Sequence, residues 1–387
     1  MTRKSYLLLA LMGFFIFACS TNRSLFRQGT VDQSSFVEEI PFTLENDLIF
    51  LDLEMAGKTF RFILDTGAPN VVTKEVADVL NLPREVYGNV GDSQGQSNQL
   101  ESVILPSVTL GNLTFSNTAA LVADMRAIPI FDCMEVDGLL GSNLMAKTVV
   151  QIDFQDQLIR MASNRSAFVI TDPIRLPFST KSTFTPVITS LQVGDQTVEN
   201  ITLDYGSGNG LTLPQDMFTD SLLQAAPVVS RGATGTGLYG IGRGEVYFSP
   251  ALVPAFGKDS ILVRLRPQDS RLLGVDILKQ FKATIDWQRN ELLLERQRPG
   301  WPEWNAFGMG IEIVGNFLEI GTITTPSPAV DKGLEVGQRV LRINGRPMTA
   351  EDYCWLSREI RMMESIAIAV ETADGEKEVK LIRSTIH

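Results

Sequence analysis

Two stretches decide the reading of the fold: Phe62-Ile63-Leu64-Asp65-Thr66-Gly67-Ala68 and, further along, Val136-Asp137-Gly138-Leu139-Leu140-Gly141. In the first, an apolar run ends on an aspartate and a glycine turn, the pattern of a buried strand delivering a carboxylate to a loop. Upstream, residues 48–64 (LIFLDLEMAGKTFRFIL) alternate in apolar character around a turn at Gly57, which predicts a β-hairpin. The whole arrangement then recurs. Residues 187–203 (VITSLQVGDQTVENITL) predict a second hairpin around Gly194-Asp195, and it runs into Asp204-Tyr205-Gly206-Ser207. Leu139-Leu140-Gly141 is answered by Leu272-Leu273-Gly274, and Gln151-Ile152-Asp153-Phe154 by Thr284-Ile285-Asp286-Trp287, both at an offset of 133 residues. A shared offset of this kind marks an internal repeat. The middle of the chain therefore reads as two β-rich lobes, 40–165 and 166–298. Helical pattern is sparse: residues 74–80 behind Thr73 as a cap, and residues 215–224 behind Pro214.

Composition narrows the chemistry. The chain has 387 residues and a net charge of −11, which speaks against a nucleic-acid partner held by phosphate contacts. Its single histidine is His387, so no Ser-His-Asp triad, Cys-His pair or His-rich zinc site can be assembled within it. Cys19, Cys133 and Cys354 lie too far apart in sequence for a CxxC redox pair or a zinc cage. Cys133 and Cys354 fall in different domains and read as small core residues rather than a disulfide. Carboxylates, hydroxyls, lysines and backbone remain to carry any reaction, and no metal or cofactor is expected.

An apolar strand delivering Asp65-Thr66-Gly67, followed later by Leu139-Leu140-Gly141, resembles one lobe of the pepsin and retropepsin superfamily. Asp204-Tyr205-Gly206 followed by Leu272-Leu273-Gly274 resembles the other lobe. The resemblance extends over both lobes and is nearest to bacterial retropepsin-like proteins that carry two lobes in one chain. It implies a mainly β, bilobal acid-protease fold, a polypeptide substrate, and a monomer, because the second lobe makes dimerisation unnecessary. It also implies a catalytic dyad of Asp65 and Asp204. Two carboxylates a few ångströms apart cannot both ionise cheaply and so share one proton. One then takes a proton from water while the other donates to the substrate carbonyl. Thr66, Gly67, Gly206 and Ser207 would support the two turns. Tyr205 departs from the pattern: its hydroxyl sits at the end of a ring and cannot repeat the grip expected of Thr66. Glycine-rich stretches containing Gly91, Asp92 and Gly95, and later Gly235 and Gly237, suit flaps closing over substrate.

Both ends of the chain carry further resemblances. Residues 6–18 (YLLLALMGFFIFA) follow Arg3-Lys4 and precede Cys19. This run is too short to span a bilayer and suits a signal segment. It is similar to a bacterial lipoprotein leader, which implies residues 1–19 as signal peptide with a lipidated Cys19, residues 20–39 as a polar tether, and a cell-envelope location facing the periplasm. After the proline- and glycine-containing segment around Pro299-Gly300 comes Phe307-Gly308-Met309-Gly310-Ile311, then Ser327-Pro328-Ala329 and Gly333-Leu334 through Ile343-Asn344-Gly345. That order resembles a PDZ domain over residues 299–387, a β-sandwich with two helices. It implies capture of a peptide C-terminus by the backbone of Met309, Gly310 and Ile311, with residues 350–363 as the helix beside the groove. The function expected is an envelope aspartic endopeptidase whose PDZ domain recognises or gates substrate. The alternative is a catalytically weak pseudo-protease that binds peptides without cutting them, and Tyr205 is the feature that favours it.

Overall fold

The computed structural model describes residues 24–218 and 228–386. The leader, Cys19, His387 and most of the helix expected at 215–224 lie outside the described residues; within them Gln215–Met217 forms a single 3-10 turn. The chain is mainly β. No helix among the described residues is long and apolar enough to cross a membrane.

The first hairpin pairs Leu48–Met55 with Lys58–Asp65, and Ala56 and Gly57 both take positive φ at the turn, the twist that suits a tight hairpin. Leu51, Leu53, Phe62 and Leu64 bury one face in the main core; Phe50 and Ile63 bury the other in a second cluster. A strand covered on both faces explains the nearly unbroken apolar run before Asp65. Gly138–Gly141 threads beside it, parallel to Lys58–Asp65 and antiparallel to Val71–Thr73, so that Gly141 stands opposite Asp65. Thr73 caps the Lys74–Val79 helix through its side chain, which accepts from the Val76 amide, the role its position in the sequence predicts.

The second lobe repeats this plan. Pro186–Val193 pairs with Gln196–Leu203, and Leu272–Leu273 runs parallel to the latter and antiparallel to Leu211–Pro214. The lobes meet in a shared antiparallel sheet whose central pair is Val149–Asp153 against Phe281–Asp286. There Val150 faces Ile285 and Ile152 faces Ala283, while Gln151 Nε2 donates to Thr284 Oγ1 at 3.0 Å, across a separation of 133 residues. The repeat offset is thus the signature of a local two-fold axis through the Gln151–Thr284 pair.

Residues 305–386 build a smaller sandwich with its own core, centred on Leu318, Ile320, Val340 and Ile368. Asn344 and Gly345 carry positive φ in its tight turn, and the helix beside the groove spans Tyr353–Glu359 after a 3-10 turn at Ala350–Asp352. This sandwich is sewn onto the second lobe: Val228–Gly237 adds antiparallel to Phe317–Thr325, with Arg231 opposite Ile323.

Two expectations are corrected. Residues 24–39 are not a loose tether. Phe26 is buried against Tyr87, Thr30–Val31 pairs with Leu113–Ala123, and Val37–Pro41 pairs with Leu158–Ala162. Short edge strands have too few residues to show a period, so their sequence reads as aperiodic. Cys133 and Cys354 are not separate core residues either. Both are half-buried and they form a disulfide spanning 221 residues. The short Pro129–Cys133 helix of the first lobe and the Tyr353–Glu359 helix pack side by side, a contact that sequence spacing does not reveal.

Candidate active site

Asp65 ends its strand and Asp204 follows immediately after Leu203, and each begins a turn at the junction of the lobes. The Gly67 amide donates to Asp65 Oδ1 at 2.7 Å, and the Gly206 amide donates to Asp204 Oδ1 at 3.0 Å. The carboxyls also share a hydrogen bond. Each glycine packs on the opposite aspartate. A Cβ on Gly67 would lie 2.8 Å from Asp204 Cγ, and one on Gly206 would collide with the Asp65 carboxyl. Only residues without a side chain let the turns approach this closely.

Burial sets the protonation of the pair. It pushes the Asp65 carboxyl up to about 6, against the lowering effect of the Gly67 amide, the Asp204 hydrogen bond and the Ala68 amide. Asp204 is raised well above the ordinary carboxylate range, first by burial and then by the charge of Asp65. The pair therefore holds one proton across neutral pH. Such a site can activate a water and protonate a carbonyl at once.

The two turns are gripped unequally. Thr66 is fully buried; its hydroxyl donates to the Leu203 carbonyl at 2.7 Å and accepts from the Tyr205 amide at 3.0 Å. Ser142 Oγ in turn donates to the Thr66 carbonyl at 2.6 Å. Tyr205 makes no reciprocal bond. Its ring is 0% exposed, stacks on Phe154 at 6.3 Å between centroids, and its hydroxyl has no partner among the described residues. One lobe therefore supplies the polar grip, and the other fills the space beneath its turn with an aromatic ring. Ser207 supports the second turn through its backbone: its amide donates to the Asp204 carbonyl at 3.3 Å and its carbonyl accepts from Val275 at 2.9 Å.

Both glycine-rich segments form hairpins over the dyad. The first joins Glu85–Gly91 to Ser97–Leu110 and the second joins Val228–Gly237 to Gly240–Leu252. At the first tip, Asp92 Oδ1 accepts from the amides of Gln94 and Gln96, and the Gly95 amide donates to the Asp92 carbonyl. The tips touch: the Tyr239 amide donates to Asp92 Oδ2 at 3.2 Å and the Tyr239 hydroxyl to the Val90 carbonyl at 2.7 Å. Gly91, Asp92, Gly235 and Gly237 line a cavity of about 510 Å³ together with Asp65 and Asp204. Gly95 is not among its lining residues; a Cβ there would lie 4.0 Å from Gln268 Cγ. Apolar walls come from Ile63, Val71, Leu121 and Leu139.

A second cavity of about 750 Å³ lies between the strand Met309–Val314 and the helix Tyr353–Glu359, with Met309, Gly310 and Ile311 on its wall. It abuts the first: Asn46, Asp47, Asn209, Arg264 and Arg361 line both. Arg361 reaches Asp47 of the first lobe at 3.5 Å. Neither this junction nor the guanidinium groups of Arg264 and Arg266 on the cavity wall was legible as part of a site in the sequence. The only signal was a pair of arginines alternating with Val263 and Leu265 in an otherwise apolar strand.

Comparison with known proteins agrees with this geometry. Residues 51–144 match the family model of aspartyl proteases, a span that holds the Asp65 turn and the Leu139-Leu140-Gly141 strand behind it. No curated protein matches the chain in sequence.

Proposed function

We propose that this protein is an aspartic endopeptidase that hydrolyses peptide bonds with Asp65 and Asp204. The observation that carries the reading is the pair of carboxyls, hydrogen-bonded to each other, each packed against the other turn's glycine and sharing one proton. Asp65, ionised above about pH 6, takes a proton from a water, and the water oxygen adds to the amide carbon. Asp204 gives its proton to the carbonyl oxygen. When the tetrahedral centre collapses, the C–N bond breaks, the amine leaves with the proton held by Asp65, and Asp204 recovers its own from the oxygen that becomes carbonyl again. The flaps close over the peptide and exclude bulk water.

The C-terminal sandwich acts as a PDZ module for the same reaction. Its groove adjoins the catalytic cavity, and a peptide added beside Met309–Val314 would lie one strand from Phe317–Thr325, which is hydrogen-bonded to the second flap. Thr322 Oγ1 donates to the flap carbonyl of Ala233 at 2.7 Å, and Arg243 of the flap pairs with Glu312 at 2.8 Å. Peptide recognition and flap position are thereby mechanically linked. We place the protein in the cell envelope, anchored through a lipidated Cys19 and facing the periplasm. A disulfide bridging two half-buried helices suits an oxidising compartment.

The second reading, a peptide-binding pseudo-protease, draws on Tyr205, whose side chain leaves the second turn without a reciprocal grip. Digestion of a reduced, unfolded protein by the soluble chain decides between them. Cutting that Asp65→Asn and Asp204→Asn both abolish supports the dyad. Cutting that survives Asp204→Asn, or no cutting by the folded wild type from pH 3 to 8, rejects it.

A further inference from the structure

The strand Ser260–Arg266 runs beneath the second flap, paired with Gly240–Leu252 on one side and Leu211–Pro214 on the other. Its residues alternate. Ile261, Val263 and Leu265 enter the main core, and Arg264 and Arg266 point the other way, onto the wall of the catalytic cavity. Such a face is normally solvated, but here the closed flaps cover it. Arg264 is 7% exposed and Arg266 1% exposed.

Two guanidinium groups so deeply placed normally carry carboxylate partners, because an unpaired buried charge is costly. These do not. Arg264 donates from Nη2 to the Thr234 carbonyl of the flap, its only protein acceptor among the described residues. Arg266 donates to two neutral side chains, Gln268 Oε1 at 2.9 Å and Gln94 Oε1 at 2.7 Å. Asp92, whose charge favours the Arg266 cation across the cavity, is held by the amides of Gln94, Gln96 and Tyr239 and forms no ion pair with either arginine. Each guanidinium offers five N–H donors in a planar fork suited to a carboxylate, so most of this capacity is unspent. Burial and the like charge of Arg266 press Arg264 down to about 10, still protonated at neutral pH. Asp92 offsets the charge of Arg266 in part, and an incoming anion would complete that compensation for both arginines.

We infer that Arg264 and Arg266 form an anion subsite within the catalytic cavity that selects peptide substrates carrying a carboxylate, from an Asp or Glu side chain or from the chain's own C-terminus. The inference rests on the cavity being a peptide site but not on its cutting peptides. The protein's own charge of −11 opposes non-specific attraction of acidic peptides, so a preference for them points to a local site.

The test uses fluorescein-labelled decapeptides in which Glu replaces Gln at each position in turn, every peptide made both as free C-terminal acid and as C-terminal amide. Binding is measured by fluorescence anisotropy to the full soluble chain carrying Asp65→Asn, so that nothing is cut, and cleavage is measured in parallel with the intact dyad. At least one acidic peptide should bind ten times or more tighter than its neutral twin, about 1.4 kcal/mol. Arg264→Met and Arg266→Met, checked for folding by circular dichroism, should bring that ratio close to one, whereas Arg264→Lys should retain part of it. A gain confined to free-acid peptides identifies the terminal carboxylate as ligand; a gain that follows Glu along the amide series identifies a side chain. The inference is overturned if no peptide of either series gains more than twofold, a result that needs no variant to interpret. It is also overturned if the preference persists in both Met variants. Absence of cleavage with the preference intact would overturn the protease reading and leave the subsite standing.

Discussion

Replacing Asp65 by Asn should stabilise the folded protein at pH 7.5 and leave it almost unchanged at pH 3.5. The folded state holds the Asp65 proton up to about pH 6 against an ordinary value of 3.8. The unfolded chain surrenders it near the ordinary value. Between the two the folded state binds more protons, so the stability of the wild type falls as pH rises through that window. At about 1.4 kcal/mol per pH unit, the full loss is about 3 kcal/mol. Partial exposure of the carboxyl to the cleft brings the expected figure to about 2 kcal/mol. Asparagine has no proton to lose, and its Oδ1 can still accept from the Gly67 amide. Guanidinium unfolding of wild type and variant at the two pH values, followed by fluorescence of the buried Trp287, measures the difference. A gain of the same size at both pH values, or none at pH 7.5, would refute the argument that burial holds the proton on the dyad.

Three further perturbations probe the scaffold. Thr66→Val removes the hydroxyl that serves both Leu203 and Tyr205. It leaves a buried carbonyl and amide unpaired and should cost about 2–5 kcal/mol with a large loss of kcat; Thr66→Ser should restore most of both, which paired unfolding and kinetic measurements would show. Tyr205→Phe deletes a buried hydroxyl that has no partner among the described residues and should leave kcat/KM unchanged while stabilising the fold by about 1 kcal/mol. Destabilisation in the unfolding curve would mean that the hydroxyl is satisfied. Cys354→Ser opens a disulfide closing 221 residues and should lower stability by up to about 5 kcal/mol by the chain-entropy argument, read as a reduced unfolding midpoint under non-reducing conditions; addition of a reductant should lower the wild type toward the variant.

Much of this architecture was legible in local chemistry. A hairpin turn at Gly57, an apolar strand ending on Asp65 and the Leu139-Leu140-Gly141 strand behind it each leave a pattern a few residues long. The recurrence of a hairpin running into an aspartate and a glycine then placed Asp204 in the second lobe, where the structure sets it beside Asp65. What escaped the sequence depends on contacts between distant segments. The disulfide follows from two short helices meeting across 221 residues. The pairing of Val228–Gly237 with Phe317–Thr325 is an edge-to-edge contact, and a strand does not record which edge it will meet. Arg264 and Arg266 look solvated in an alternating strand and are buried only because both flaps fold over them. Tyr205 showed that the second grip is altered, but the ring's stacking on Phe154 required the assembled core.

The most direct test of the central claim is the pH dependence of kcat/KM for hydrolysis of a single defined peptide bond by the soluble chain. A dyad with Asp65 titrating near 6 and Asp204 retaining its proton predicts a rising limb centred near pH 6, a falling limb at higher pH, and loss of at least about a thousandfold in both Asp65→Asn and Asp204→Asn. Hydrolysis that is greatest near pH 3 and declines before pH 5, or that keeps its rate in either variant, would contradict a buried pair sharing one proton as the source of catalysis.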